Sequence, residues 1–125
     1  MDRRRDLGAL GERLAADHLV RTGYSVLARN YRTARGELDL IAAGMGSLVF
    51  CEVKTRVAGT GGPPGPLDAI GPVKRRRLRR LAREWLNDPA SAGRPWTPGL
   101  RFDAIAVTLS PAGRLLALDH VEGAF

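Results

Sequence analysis

The sequence predicts an α/β domain in which a central mixed five-stranded sheet is flanked by helices. Three observations carry that expectation. Helical and strand periodicities follow one another in the order helix, three strands, helix, two strands, as a layered α/β domain requires. Residues 1–125 leave room for one core of ordinary size, so the whole chain reads as a single domain. With 44% apolar residues, that core can form without disulfide or metal staples.

Leu7 to Thr22 suits a helix, and Gly23 stands where a C-terminal glycine ends one. Glu12, Ala15, Ala16, Leu19 and Val20 share one face of it, so a carboxylate joins a stripe of small and apolar side chains. Tyr24 to Tyr31 reads as a strand, followed by polar residues and Gly36 as a turn. Glu37 to Ala42 and Leu48 to Thr55 read as a hairpin around a four-residue connection, Gly44 to Ser47. If Ala43 pairs with Leu48, Asp39 lies across from Glu52. Glu52, Lys54 and Arg56 then share one side of their strand, with Val49, Cys51 and Val53 on the other. A one-residue slip would part Asp39 from Glu52.

Val57 to Pro66 is a Gly and Pro loop directly after the charged strand, placed where it could move over a substrate. Pro72 suits the first turn of a second helix, from about Val73 to Leu86, with Leu78, Leu81, Ala82, Trp85 and Leu86 as its apolar stripe. Projected backward, the stripe takes in Lys74, while Arg76, Arg79, Arg80 and Arg83 fall largely on the other side. Asn87 to Leu100 reads as a loop. Phe102 to Leu109 and Leu115 to Asp119 are the last two strands, separated by Pro111 and Gly113.

The formal net charge is +7, and six of the twenty basic residues lie between Lys74 and Arg80, leaving the rest of the chain close to neutral. A concentrated patch suits a polyanion. The expected partner is nucleic acid, DNA ahead of RNA, met by Lys74, Arg75, Arg76, Arg79, Arg80 and Arg83 with Arg56 from the strand. A single cysteine excludes an internal disulfide and a paired-thiol zinc site, and points to a cytoplasmic chain. Glu12, Arg13 and Asp17 interrupt any signal-peptide core, and no apolar run approaches a membrane span, so no membrane is expected. The glycines between Gly59 and Gly65 come with prolines and no following Lys-Ser or Lys-Thr, so ATP hydrolysis is not suggested. Ser-His-Asp catalysis lacks a nucleophile turn.

Eighteen of the basic residues are Arg; Lys54 and Lys74 are the only lysines. Guanidinium, with a pKa above ~12, does not exchange its proton, so a lysine kept in an Arg-saturated chain points to a titratable ammonium, with coding bias as the plainer explanation. Asp39 and Glu52 would supply hard oxygen ligands for Mg²⁺ or Mn²⁺, and Lys54 would orient or deprotonate an attacking water or sit beside the developing phosphate charge. The competing reading is a cross-strand salt-bridge cluster on a solvated face. Leu48 and Phe50 on the same face favour a partly covered cleft, where unpaired charges would be costly. Glu37 reads as a turn-exposed side chain, with an outer carboxylate of the site as the alternative because it shares the parity of Asp39; Asp103 reads as structural, and His18 and His120 as surface or packing histidines. Cys51 reads as a small buried residue facing away from Glu52.

The segments GERLAADHL (Gly11 to Leu19), NYRTARGELDLIA (Asn30 to Ala42), VFCEVKTR (Val49 to Arg56), the helix with Lys74, and RFD (Arg101 to Asp103) resemble the bacterial YraN-like family from Gly8 to Phe125. That family is similar to the restriction-endonuclease-like superfamily with its PD-(D/E)xK site, and to archaeal Holliday-junction resolvases. The resemblance implies Asp39 as the motif's Asp, Glu52 and Lys54 as its E-x-K pair, and Glu12 as the helix-one Glu. Leu38 stands where the motif's name has Pro. The function so implied is a metal-dependent endonuclease acting on DNA, with branched or damaged DNA as candidate substrates; junction cutting would further suggest a homodimer presenting two sites. Two other classes compete: a catalytically silent nucleic-acid-binding module, and an assembly protein whose basic helix meets an acidic partner.

Overall fold

A computed structural model describes residues 3–59 and 70–125. Its elements are α1 (Arg3–Arg21), β1 (Ser25–Thr33), β2 (Gly36–Gly44), β3 (Ser47–Val57), α2 (Pro72–Asn87), a 3₁₀ turn (Pro89–Ser91), β4 (Gly99–Leu109) and β5 (Leu115–Val121). The sheet follows the order β1-β2-β3-β4-β5, with β3 and β4 parallel and every other pair antiparallel. A parallel pair needs a crossover of a dozen or more residues, and α2 lies in that crossover. The result is an α/β fold with a mixed five-stranded sheet, consistent with the restriction-endonuclease-like architecture. Residues 60–66 of the expected Gly and Pro loop lie outside the described residues.

Each face of the sheet carries its own core. Ala15, Ala16 and Leu19 of α1 pack with Leu40, Ala42, Val49, Cys51, Ile105 and Val107. On the other face, Leu78, Leu81, Ala82 and Trp85 of α2 pack with Leu48, Phe50, Phe102 and Ala104. The apolar stripe of α2 was readable because its spacing matches the helical period, and it sets which way the helix is rotated. Gly11 lets α1 sit directly on β3, since a Cβ there would fall 1.9 Å from the Thr55 Oγ1.

The hairpin register is the expected one, with Ala43 opposite Leu48 and Leu40 opposite Cys51. Its connection is tighter than expected: Gly44 pairs with Ser47, leaving Met45 (φ 51°) and Gly46 (φ 75°) as a two-residue turn. Two consecutive positive φ values match the twist of the flanking strands.

Candidate active site

The site begins where β2 leaves β3. Their ladder ends at Leu40 and Cys51, and one residue further the Asp39 Oδ2 accepts the Val53 backbone N–H at 2.7 Å in place of a strand-to-strand bond. Strand alternation also fails here, because Leu38 and Ile41 both join the α2-side core while Leu40 joins the α1 side. On the outer neighbour, Asn30 sits between the Arg29–Leu40 and Tyr31–Leu38 pairs with φ 52°. Asparagine tolerates the left-handed region better than most side chains. The kink therefore uses a residue suited to it and brings Asn30 beside Asp39.

Three carboxylates meet at that kink. Glu12 from α1 with Glu37 and Asp39 from β2 each offer an oxygen, all within 4.8 Å of one another. With its nitrogen turned toward them, the Asn30 amide donates to Glu12 Oε2 at 2.9 Å and to Glu37 Oε1 at 3.3 Å. Arg32 Nε donates to Glu37 Oε2 at 2.6 Å. Burial, then the charges of Glu52, Glu12 and Glu37, push the Asp39 carboxyl up to about 8, against the lowering effect of the Val53 N–H. Glu12 is raised as well, by burial and then by Glu37. Carboxylates crowded this way hold off full ionisation until a cation joins them. A cleft of about 160 Å³ opens beside Glu12 and Asn30, with Arg13 and Arg29 on its walls.

Glu52 is buried on β3, and the two lysines of the chain converge on it. Its Oε1 lies 2.7 Å from the Lys74 Nζ and 3.8 Å from the Lys54 Nζ. The hydrogen bond with Lys74, followed by burial, holds Lys54 below its ordinary ammonium range. Burial acts against the charge on Lys74 too, yet its bonds to Glu52 and Lys54 leave it raised. One proton is thereby kept on Lys74 while Lys54 is the amine that gives its own up more easily.

The α2 arginines Arg75, Arg76, Arg77, Arg79, Arg80 and Arg83 are exposed, as is Arg56 on β3. Arg76, Arg77 and Arg80 line a cleft of about 350 Å³ with Arg35 from the β1–β2 turn, which also pairs with Glu84. Arg79 turns instead over the Phe102 ring, 4.7 Å from its centroid, and the Arg75 Nε donates to the Ile70 carbonyl at 3.2 Å.

The sequence set Asp39, Glu52 and Lys54 on one sheet face and the resemblance added Glu12, whereas Lys74, expected among the cations that meet nucleic acid, is paired with Glu52. Glu37 follows the alternative rather than the default expectation: it is a half-buried member of the carboxylate group, not a turn-exposed residue, and its shared parity with Asp39 was the available signal. Asn30 carried no periodic signal. Arg77 and Arg35 were also missed, although Arg77 belongs to the basic run that drew attention to α2.

The histidines are not isolated. His120 Nε2 meets Asp103 Oδ2 at 2.7 Å and its Nδ1 meets His18 Nε2 at 3.0 Å. Arg101 donates to both Asp103 oxygens at 2.9 Å and to the Tyr24 hydroxyl at 2.6 Å, and the Gly123 N–H reaches Asp103 at 3.0 Å. Burial alone would raise the Asp103 carboxyl, but these bonds hold it below the usual carboxylate range. The network ties the C-terminal segment to β4 and α1, in keeping with a structural role for Asp103.

No helix among the described residues is long and apolar enough to cross a membrane. The model of the uncharacterised protein family UPF0102 matches residues 11–107. The UPF0102 protein of Mycolicibacterium gilvum is 44% identical over 124 residues, covering 98% of this chain and 95% of its own. That of Moorella thermoacetica is 42% identical over 122 residues, covering 98% and 97%. The Mycobacterium avium relative is 47% identical over 120 residues, covering 94% and 88%. Matched over most of its length by the family model and nearly end to end by these relatives, the chain belongs to the UPF0102 (YraN-like) family.

Proposed function

We propose that the protein is a metal-dependent endonuclease that hydrolyses DNA phosphodiesters, with branched or damaged DNA as its substrate. The observation that carries this reading is the meeting, around Asp39, of a carboxylate group on one side with a Glu52–Lys74–Lys54 cluster on the other. The donor set fits Mg²⁺ or Mn²⁺: all-oxygen, anionic, and charge-frustrated until a cation arrives. Asp39 would hold the ion, with Glu12, Glu37 and Glu52 as the further carboxylates of the site. When bound, the metal would polarise the phosphate and stabilise the leaving oxygen.

The chain's own residues account for the rest. Lys54, which its hydrogen bond with Lys74 and its burial hold below the ordinary ammonium range, orients the attacking water and takes its proton as the water oxygen forms the new P–O bond and the bridging P–O bond breaks. Lys74 remains charged against Glu52 and keeps a fixed positive field beside the developing phosphate charge. Asn30 holds Glu12 and Glu37 in place. Arg76, Arg77 and Arg80 contact backbone phosphates without reading sequence.

The test is cleavage of labelled duplex, single-stranded, flap and four-way-junction DNA and of RNA, in Mg²⁺, Mn²⁺ or EDTA, comparing wild type with Glu52→Ala and Lys54→Ala. Metal-dependent cutting that both variants lose is the expected result. Intact substrates throughout, with all three proteins binding DNA equally, would replace catalysis by a binding role.

A further inference from the structure

The end of α2 away from Lys74 opens on a second feature that the carboxylate site does not use. Trp96 is 84% exposed and Leu100 56%, while the other tryptophan, Trp85, is 2% exposed in the core. Trp96 and Leu100 border an open groove of about 500 Å³ whose floor and walls include Leu48 of β3, Leu86 of α2 and Arg94. Among the described residues, no carboxylate lines it. The Arg94 Nη1 donates to the Ser91 carbonyl at 3.3 Å and the Ser91 hydroxyl at 3.1 Å, which fixes a guanidinium at the rim.

An exposed indole beside a fixed guanidinium is an unusual use of a large apolar side chain. Three physical features select its occupant. The formal charge that the described residues bring to the groove is positive, and the adjoining helix presents a run of exposed arginines. A flat aromatic face open to solvent accepts another π-face without requiring a shaped pocket. The groove also lies on the same side of β3 as Glu52, four residues or about 13 Å along the strand from it. Lys74 and Leu86 are twelve residues or about 18 Å apart on α2. At roughly 3.4 Å per stacked nucleotide, those spans correspond to about four or five phosphates.

We infer that the groove is a stacking subsite for an unpaired base of single-stranded DNA, with Trp96 as its platform and Arg94 meeting the neighbouring phosphate. The inference rests on the nuclease reading for its substrate and deepens it. A strand leaving the carboxylate site along α2 passes the arginine surface and ends with a base on Trp96. Substrates with a single-stranded arm would then be held more tightly than fully paired duplex, because paired bases keep their faces inside the stack.

Tryptophan fluorescence tests this on the full chain in EDTA, where no metal-dependent cleavage intervenes. Oligo-dT should quench exposed Trp96 and leave buried Trp85 little changed. Trp96→Ala should weaken oligo-dT binding, read by anisotropy of the labelled strand, by roughly 5- to 100-fold, and Trp96→Phe should recover much of it. Equal affinity of Trp96→Ala and wild type would overturn the subsite, as would equal quenching by heparin, a polyanion without bases. A Trp96 emission that shifts with protein concentration alone would assign the groove to a second copy of the chain instead. Binding with unquenched Trp96 removes only the subsite; loss of all DNA binding removes the nuclease reading with it.

Discussion

Asp39→Asn should make the metal-free protein more stable at alkaline pH while ending the proposed metal-dependent cleavage. In the unfolded chain the carboxyl titrates near ~3.9, and in the folded protein burial and then Glu52, Glu12 and Glu37 raise it to about 8. The folded state therefore binds the proton more tightly. Its contribution is complete below pH ~4 and is lost as pH rises through 8. A gap of about four units at ~1.4 kcal/mol each sets a ceiling near ~5–6 kcal/mol. Water reaching this partly exposed side chain screens much of it, leaving about 2 kcal/mol to be expected. Asparagine has the same shape and can still accept the Val53 N–H, so it removes the charge with little else changed. Thermal unfolding in EDTA should show near-equal midpoints at about pH 3.5, below the unfolded carboxyl's range, and a variant higher by about 8 °C at pH 8.5, taking ~4 °C per kcal/mol for this chain length. Saturating Mn²⁺ should reverse the order, since a ligand at 100 times its Kd stabilises the wild type by about 2.7 kcal/mol. An equal loss of stability at both pH values would refute the reasoning, because it would make Asp39 a net structural asset rather than a crowded anion.

Asp103→Asn should cost about 3 kcal/mol in thermal or urea unfolding, since it leaves half-buried Arg101 with only the exposed Glu122 carboxylate, at 3.7 Å, as counter-charge and turns an amide N–H₂ toward existing donors. Because that carboxyl is held below its unfolded value, its stabilisation exists above pH ~4 and disappears as acid protonates it, so the difference between the proteins should shrink toward low pH. Gly11→Ala should destabilise by about 1–3 kcal/mol despite the better helix propensity, because the new methyl meets Thr55 side-chain atoms at 1.9, 2.8 and 2.9 Å. Thr55→Ala in the same chain should return part of the loss, and a double-mutant cycle would measure that coupling. Replacing Arg76 and Arg80 together by Gln should flatten the salt dependence of duplex binding by about 0.9 in log–log slope for each phosphate that is no longer neutralised. An unchanged slope would show that the α2 cleft does not touch the backbone.

The two helices, five strands and hairpin register were legible because each rests on a short-range pattern. Leu78, Leu81 and Trp85 repeat at the helical period, and Ala43 and Leu48 flank a turn that leaves few registers. The placement of β4 parallel to β3 is a long-range choice, set by the crossover through α2 and by no local pattern. The site was half legible for the same reason. Glu52 and Lys54 alternate on one strand and Glu37 shares the parity of Asp39, but the amide that links Glu37 to Glu12 comes from Asn30 on β1, which carries no periodic signal. The Asp103 network stayed hidden because Tyr24, Arg101 and His120 are far apart in sequence and carry no shared period.

Helix α2 shows why the core and the site cannot be separated. Consecutive helical residues turn by about 100°, so the direction of every side chain on α2 follows once its apolar stripe is seated. Leu78, Leu81, Ala82 and Trp85 take that seat against Leu48, Phe50 and Phe102. Lys74 then comes to face Glu52, while Arg76, Arg77 and Arg80 come to surround the outer cleft. A shift of one residue in that packing would withdraw the ammonium from Glu52 and bring guanidiniums toward the sheet. The lysine that meets the buried carboxylate and the arginines suited to a polyanion thus keep their relative geometry on one rigid element. Hydrophobic burial is what holds them there.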